Sequence, residues 1–356
     1  MKYLKASNSY SFIKFPDECG AHNIHLVGGK ASSLGELWKA NAPVPPFFVI
    51  TSEGFKEFIE YNRLWTTISR LDGVEHDEEK LLTLSKEVRD KILSASLPST
   101  LDKELMTASQ EIISVWGSIA VRSSATLEDV SEASFAGQYE SYLGIKTSEQ
   151  FYDAVIKCYA SLFNDRAVVY RNRINKKHTD VYMAVIGQSL VRARSAGVMF
   201  TVNPLNGDPS VVVIESSWGL GEAVVKGEVI PDNYMISKVT GEVLRCRTSR
   251  TKPIKYESLD DGSVVMIKNP QEGPELSLSS GEAVFLADIG NRLEKYFGRP
   301  QDIEWVIDKR FNQPENIYVV QSRPVTVDCT VSRTSRQTGL GMMDRIIQTL
   351  LSGAHV

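Results

Sequence analysis

The chain has little of what builds metal clusters or cross-linked scaffolds. It holds four cysteines, Cys19, Cys158, Cys246 and Cys329, and no C-x-x-C pair. Such wide spacing argues against a zinc site or a disulfide framework. Free thiols in a reducing compartment follow, so a cytoplasmic protein is expected. The five histidines, His22, His25, His76, His178 and His355, show no H-E-x-x-H or related ligand spacing. No apolar run is long enough to span a bilayer, and the polar start MKYLKASNSYSF does not read as a signal peptide. The net charge is only -4, so neither nucleic acid nor a membrane surface is an expected partner. No internal repeat or low-complexity block interrupts the sequence.

What is present is a globular composition, 42% hydrophobic and 24% charged, in a length of 356 residues that suits two or three domains or lobes. Gly28-Gly29-Lys30 opens a helix with an apolar stripe of Leu34, Leu37 and Trp38. The segment NAPVPPFFVIT stops it at Pro43 and leads into a strand. Residues 52–113 read mostly as helices, and GSIAVRSSA as a buried strand running into a loop. FYDAVIKCYASLFNDRAVVYRNR has helical periodicity, with Phe151, Val155, Cys158 and Leu162 on one face. From Met183 the pattern changes to strands: MAVIGQSLV, AGVMFTVNP and SVVVIESSW, with a turn signal at Asn206-Gly207. Ser279 and Glu282 form a capping box for a helix that turns Leu286, Ile289 and Leu293 inward and stops at Gly298. The outline is an α+β protein, helix-rich in its first half and strand-rich in its second.

Several stretches carry candidate chemistry. In DIEWVIDKRFNQPENIYVVQSRP, Asp302 and Glu304 lie two apart, as do Gln321 and Arg323. Residues two apart on a strand share a face, so pairing of the two strands brings three oxygen-bearing groups and a guanidinium together. Mg²⁺ takes hard oxygen ligands, and an arginine fork suits phosphate. From spacing alone, a half-exposed hairpin with solvated charges is the better reading. VGGKASSLGEL invites a P-loop reading and fails it: Ile24 stands where the first glycine belongs, and Ala31 follows Lys30. What survives is a glycine-led helix start with a cation, weighed against a plain helix entry.

In AVRSSATLEDVSEASFAGQYES, Arg122 directly follows a buried strand, Ser123, Ser124, Thr126 and Ser134 supply hydroxyls, and Ala136-Gly137-Gln138 allows close backbone approach. This pattern tips from a polar surface loop toward a phosphate loop. WGLGEAVV offers Gly219 and Gly221 for close approach, with Glu215 or Glu222 as acceptors for ribose hydroxyls, and a glycine-rich turn is the bland alternative. VIGQSLV, around Gln188 and Leu190, fits an adenine hinge in which backbone groups bond the base, and equally fits a simple strand.

The order and wording of these motifs together closely resemble the nucleotide-binding domain of the dikinase family. The stretches that carry the resemblance are VGGKASSLGEL, VRSSATLEDVSEASFAGQYES, SAGVMFTVNPLNG, WGLGEAVVKGEVIPDNY and FGRPQDIEWVID with IYVVQSRPVT, spanning Gly28 to Thr326. That family includes phosphoenolpyruvate synthase, pyruvate phosphate dikinase, rifampicin phosphotransferase and phenylphosphate synthase. The resemblance implies a two-lobed ATP-grasp fold that holds ATP and Mg²⁺ between an N-terminal lobe over 1–182 and a C-terminal lobe over 183–326, with 327–356 a linker or tail. It implies catalytic roles for Lys30, Arg122 and Arg323 in neutralising phosphate charge. Ser134, Ala136, Gly137 and Gln138 match the loop over the polyphosphate, Gln188 and Leu190 the adenine hinge, and Glu215 a position near the nucleotide. Asp302, Glu304 and Gln321 match the metal positions, with Glu304, Gln321 and Arg323 also touching the nucleotide. The resemblance thus reverses the reading of DIEW and QSRP as a wet hairpin.

In that family the phosphate acceptor is a histidine on a separate swivelling domain, and ATP ends as AMP. None of the five histidines here lies in the Gly-rich, Ser/Thr-His context of that domain. A histidine-bearing catalytic subunit or domain is therefore an expected partner, with a small molecule as final acceptor. The small ATP-binding subunit of phenylphosphate synthase is the first specific expectation. Competing with it are the front of a longer phosphoenolpyruvate synthase or rifampicin phosphotransferase, which the end LLSGAHV resembles in its lead-in to the swivelling domain, and a subunit that senses ATP without turnover.

Overall fold

In the computed structural model, which describes residues 10–74, 77–126, 140–249, 252–259, 262–268 and 275–325, the chain forms two compact units. The first comprises the described residues within Met1–Lys39, Pro45–Leu190 and Asp261–Ser263; the second, those within Ala40–Val44, Val191–Asp260 and Val264–Val356.

The first unit contains β1 (Ile13–Lys14), α1 (Ile24–Lys39), β2 (Phe47–Ile50), α2 (Ser52–Tyr61), α3 (Trp65–Ser69), α4 (Glu78–Leu93), α5 (Ser99–Trp116), β3 (Ile119–Ala125), β4 (Ser141–Ile145), α6 (Ser148–Ser161), α7 (Asp165–Arg173) and β5 (Met183–Ser189). Its antiparallel sheet has the order β1-β2-β5-β3-β4. β5 is buried along its whole length, in keeping with the apolar run MAVIG that opens it, and takes an inner position in the sheet. The first compact unit runs on through β5 to Leu190, because β5 pairs with β2 and β3. The segment from Phe151 to Arg173 forms two helices, not one. Asn164 adopts extended backbone (φ -61, ψ 148) before α7, while Phe151, Val155, Cys158 and Leu162 are all fully buried as expected.

The second unit contains β6 (Ala193–Phe200), β7 (Val211–Trp218), α8 (Glu222–Val225), β8 (Asp232–Ser237), β9 (Val243–Arg247), β10 (Ile254–Ser258), β11 (Val264–Lys268), α9 (Ser280–Phe297), β12 (Gln301–Asp308) and β13 (Ile317–Pro324). Six strands form one antiparallel sheet, β13-β12-β6-β7-β8-β9, and β10 and β11 pair as a separate two-stranded sheet. The capping box at Ser279 and Glu282 starts α9, and Gly298 ends it in the left-handed region at φ 66, as the sequence predicts. Leu286, Ile289 and Leu293 are buried. α9 lies so close to β6 that a Cβ on Gly290 would stand 3.0 Å from the Met199 sulfur. Met199, Ile214, Ile303 and Trp305 are buried alongside. Each such side chain contributes about 1.5–3 kcal/mol through removal from water.

One buried charge organises the same unit. Asp232 is fully buried and accepts from Lys252 Nζ (2.8 Å), Thr248 Oγ1, the Ser249 N–H, and both the N–H and Oγ of Ser277. A buried carboxylate is tolerated only when its oxygens are satisfied in this way. Among the described residues, no helix is long and apolar enough to cross a membrane.

Candidate functional site

The sequence-predicted residues fall into two groups, one in each unit. The first is assembled on β3, β5 and the start of α1. Gly28 interrupts the helical backbone with φ 76 and ψ 172. A Cβ there would lie 2.1 Å from the Ser124 carbonyl oxygen, so both its conformation and its closeness to β3 require glycine. The helix proper then begins beside Lys30, whose Nζ donates to the Ser123 carbonyl at 3.3 Å. Arg122 lies within β3, not after it as the sequence suggests, and is half-buried. Its Nη1 donates to Gln188 Oε1 at 3.4 Å. Gln188 sits opposite Ala120, one step of the pleat from Arg122, so both side chains project on the same face of the sheet.

This geometry changes the meaning of several expectations. Gln188 is an inner-strand residue flanked by Phe47 and Ala120. Its Nε2 is buried without a hydrogen-bond partner. The Leu190 N–H is likewise used, by the Ser118 carbonyl at 3.1 Å. The hydroxyls of Ser123, Ser124 and Thr126 all donate to main-chain carbonyls, those of Glu140, Val27 and Tyr182. These bonds brace the strand. Ser134, Ala136, Gly137 and Gln138 lie outside the described residues.

The second group spans β13, β12, β6 and β7. Asp302 pairs with Arg323 and Glu304 with Gln321, so all four share one face of the sheet. The register shifts immediately after Glu304, since Trp305 pairs with Val319 and leaves Val320 as the extra residue. Such a bulge re-aims the neighbouring side chains. Glu304 continues across Val198 to Glu215, which is buried on the same face two strands away, roughly 10 Å by strand spacing. Gly197 lets β6 approach β7 there: a Cβ on it would stand 1.9 Å from the Glu215 carbonyl oxygen.

Arg323 Nε donates to Asp302 Oδ2 at 2.8 Å. Burial nevertheless pushes the Asp302 carboxyl above its usual range, Arg323 opposes that, and the neighbouring charge of Glu304 adds to it. Two adjacent carboxylates, one of them buried, are a site where a cation would relieve both desolvation and repulsion. Among the described residues no group of three or more His, Cys, Asp or Glu forms a metal cluster. Two carboxylates plus the Gln321 amide still fit Mg²⁺, which usually keeps positions for water and phosphate oxygens.

The first glycine of WGLGE has a role within the protein itself. Gly219 (φ 78) makes room for the Tyr256 carbonyl, which a Cβ would meet at 2.3 Å, and Leu220 bridges to Tyr256. Glu222 forms an ion pair with Lys226 at 3.2 Å on α8. Of the histidines, His178 is buried and accepts from Arg171 Nε at 3.1 Å, and burial beside that arginine lowers its pKa to about 4. It is a core residue, out of reach of a phosphoryl donor. Two features escaped the sequence reading: the Asp232 hub, and the bond from Ser322 Oγ to Gln301 Oε1 at 2.9 Å behind the Asp302–Arg323 pair. Gln301 and Ser322, polar residues on the face that carries Ile303, were a signal for the second; nothing local announces the first.

Comparison with known proteins places these residues in a family. Residues 24–339 match the model of the pyruvate phosphate dikinase AMP/ATP-binding domain. A probable phosphoenolpyruvate synthase of Methanocaldococcus jannaschii is 39% identical over 326 residues, covering 90% of this chain and 27% of that protein. The phosphoenolpyruvate synthase of Aeropyrum pernix is 39% identical over 349 residues, covering 88% of this chain and 42% of that protein. The chain therefore spans between about a quarter and a half of the length of the curated relatives it matches. D-alanyl-alanine synthetase A from Vibrio cholerae covers 92% of this chain and 67% of its own at a TM-score of 0.34 and 10% identity, a likeness too slight to carry an argument. Matched over most of its length by that model, the chain belongs to the pyruvate phosphate dikinase AMP/ATP-binding domain family.

Proposed function

We propose that this chain binds ATP with Mg²⁺ in an ATP-grasp arrangement and passes phosphate from ATP to a histidine on a partner subunit or a further domain. The observation that supports this most directly is the cross-strand pairing of Asp302 with Arg323 and Glu304 with Gln321 on one face, in a member of an AMP/ATP-binding family. Lys30 and Arg122 bind phosphate oxygens. Arg323 balances charge beside the metal site, and Glu304 with Asp302 and Gln321 holds Mg²⁺. When bound, the metal neutralises charge on the transferring phosphoryl group. ATP ends as AMP: one phosphate is carried by the histidine nitrogen, and water accepts the other, which leaves as inorganic phosphate.

The final acceptor is chosen by a part of the system outside these residues. The relatives are named phosphoenolpyruvate synthases, which makes phosphoenolpyruvate formation the first end reaction to test and phenol phosphorylation the second. The test mixes the chain with ATP, Mg²⁺ and a histidine-bearing partner and follows AMP and phosphohistidine. Formation of both is expected. ADP with an acyl phosphate would instead mark a carboxylate–amine ligase. Unchanged partner activity in Glu304→Ala and Arg323→Ala would mark an ATP sensor.

A further inference from the structure

Ser124 is fully buried on β3, two residues beyond Arg122. Its Oγ donates to the Val27 carbonyl at 2.8 Å and accepts the Ala31 N–H at 3.1 Å. Val27 and Ala31 flank Gly28, Gly29 and Lys30, so one hydroxyl closes both ends of the kink in α1. The third constraint is steric. Gly28 packs against Ser124 itself, where a Cβ would stand 2.1 Å from the carbonyl oxygen and 2.5 Å from Oγ. The fourth is the bond from Lys30 Nζ to the Ser123 carbonyl. The same short strand segment therefore carries Arg122, receives the Lys30 ammonium and clamps the backbone on either side of Lys30.

We propose that Ser124 is a positioning residue that holds Lys30 at a fixed distance from Arg122, so that the two cations engage one polyphosphate together. This rests on the reading of Lys30 and Arg122 as phosphate ligands. The physical argument is one of preorganisation. A lysine on a four-carbon stem is a flexible point charge. Its value to an anion depends on how firmly its own backbone is held relative to the second cation. Without the Ser124 hydroxyl, the Val27 carbonyl and the Ala31 N–H lose their partner, and the turn is released from β3 while Arg122 stays in the strand. The damage should therefore pass through Lys30 and leave Arg122 in place.

The experiment is a double-mutant cycle on ATP·Mg²⁺ binding to the full chain by calorimetry, with AMP as the control nucleotide. Ser124→Ala is expected to weaken ATP binding by about tenfold in the parent chain and by less than about twofold in a Lys30→Ala background, because the two residues act as one unit. AMP binding should change less than ATP binding. A general structural defect would weaken both nucleotides equally and add to the Lys30→Ala effect; either result overturns the proposal. Should Ser124→Ala fail to fold, Ser124→Cys, which keeps a weak donor and acceptor in place, is read in the same cycle against the same criteria. If the parent chain binds no ATP, or if Lys30→Ala leaves ATP affinity unchanged, the reading of the function itself fails. If those hold and the Ser124 effect is additive, only the positioning role fails.

Discussion

The two groups of candidate residues handle charge in opposite ways. In the first unit Lys30 donates to the Ser123 carbonyl and Arg122 to the Gln188 amide. In the second, opposite charges meet directly, Arg323 on Asp302, with Glu304 beside them. A neutral oxygen orients a cation and does not itself cancel the charge. An ion pair cancels itself, and a ligand must rearrange it or supply a metal. The second arrangement suits a carboxylate site that gains its full value when a cation arrives. Deleting Arg323 removes the cation beside a buried carboxylate.

This contrast orders the predictions. The largest effect is on transfer itself: Arg122→Ala and Lys30→Ala should each lower phosphohistidine formation by about a hundredfold or more, as loss of a preorganised charge partner does. Their melting temperatures without ATP should stay close to the parent's. A large drop for Arg122→Ala in the absence of ligand would make it a structural residue and erase the contrast. Next, Arg323→Ala should cost the ligand-free protein about 1–3 kcal/mol in urea unfolding, because it strands the Asp302 carboxylate. Equal losses for Lys30→Ala and Arg323→Ala would show that the two groups are not built differently.

Acidity separates the units further. His178, in the first, is depressed from 6.5 to about 4 by burial and Arg171. Its contribution to stability is present above the unfolded value of 6.5 and is lost as pH falls toward about 4. Asp302, in the second, is raised, so its contribution is present below its unfolded value of 3.8 and is lost as pH rises through the raised one. A His178→Gln variant should flatten the acid limb of a stability–pH curve measured by chemical unfolding. Asp302→Asn should instead remove a pH dependence of Mg²⁺ affinity, which in the parent rises as Asp302 gives up its proton. An unchanged Mg²⁺ profile would take Asp302 out of the metal site.

The smallest effects come from helix caps, one in each unit. Thr147 accepts the Gln150 N–H at 3.2 Å to start α6, and Ser279 caps α9. Alanine at either should cost about 1 kcal/mol. If calorimetry resolves two transitions, each variant should move only one of them.

Much of this was legible in the chain. Local signals with a local cause gave α9 and its two ends, the turn at Asn206-Gly207 where Gly207 has φ 72, and the strand character of β5, β6 and β7. Period-2 spacing placed Asp302 with Glu304, and Gln321 with Arg323, on common faces before any pairing was known. The resemblance of five motifs to the dikinase family supplied the chemistry that spacing left open. What the sequence left open was the partner each of these residues takes. Ser123 and Thr126 donate to main-chain carbonyls, Gly219 admits the Tyr256 carbonyl, and Gln188 is an inner-strand residue whose side chain meets Arg122.

The reason is physical. Backbone conformation, capping and facing depend on neighbours within a few residues, so the sequence alone determined where the helices and strands lie and which side chains share a face. Register and partnership depend on contacts between residues far apart in the chain. Only the tertiary structure decided that Ser124 closes on Val27 and Ala31, that Glu304 lines up with Glu215 across β6, and that Asp232 gathers donors from three separate segments.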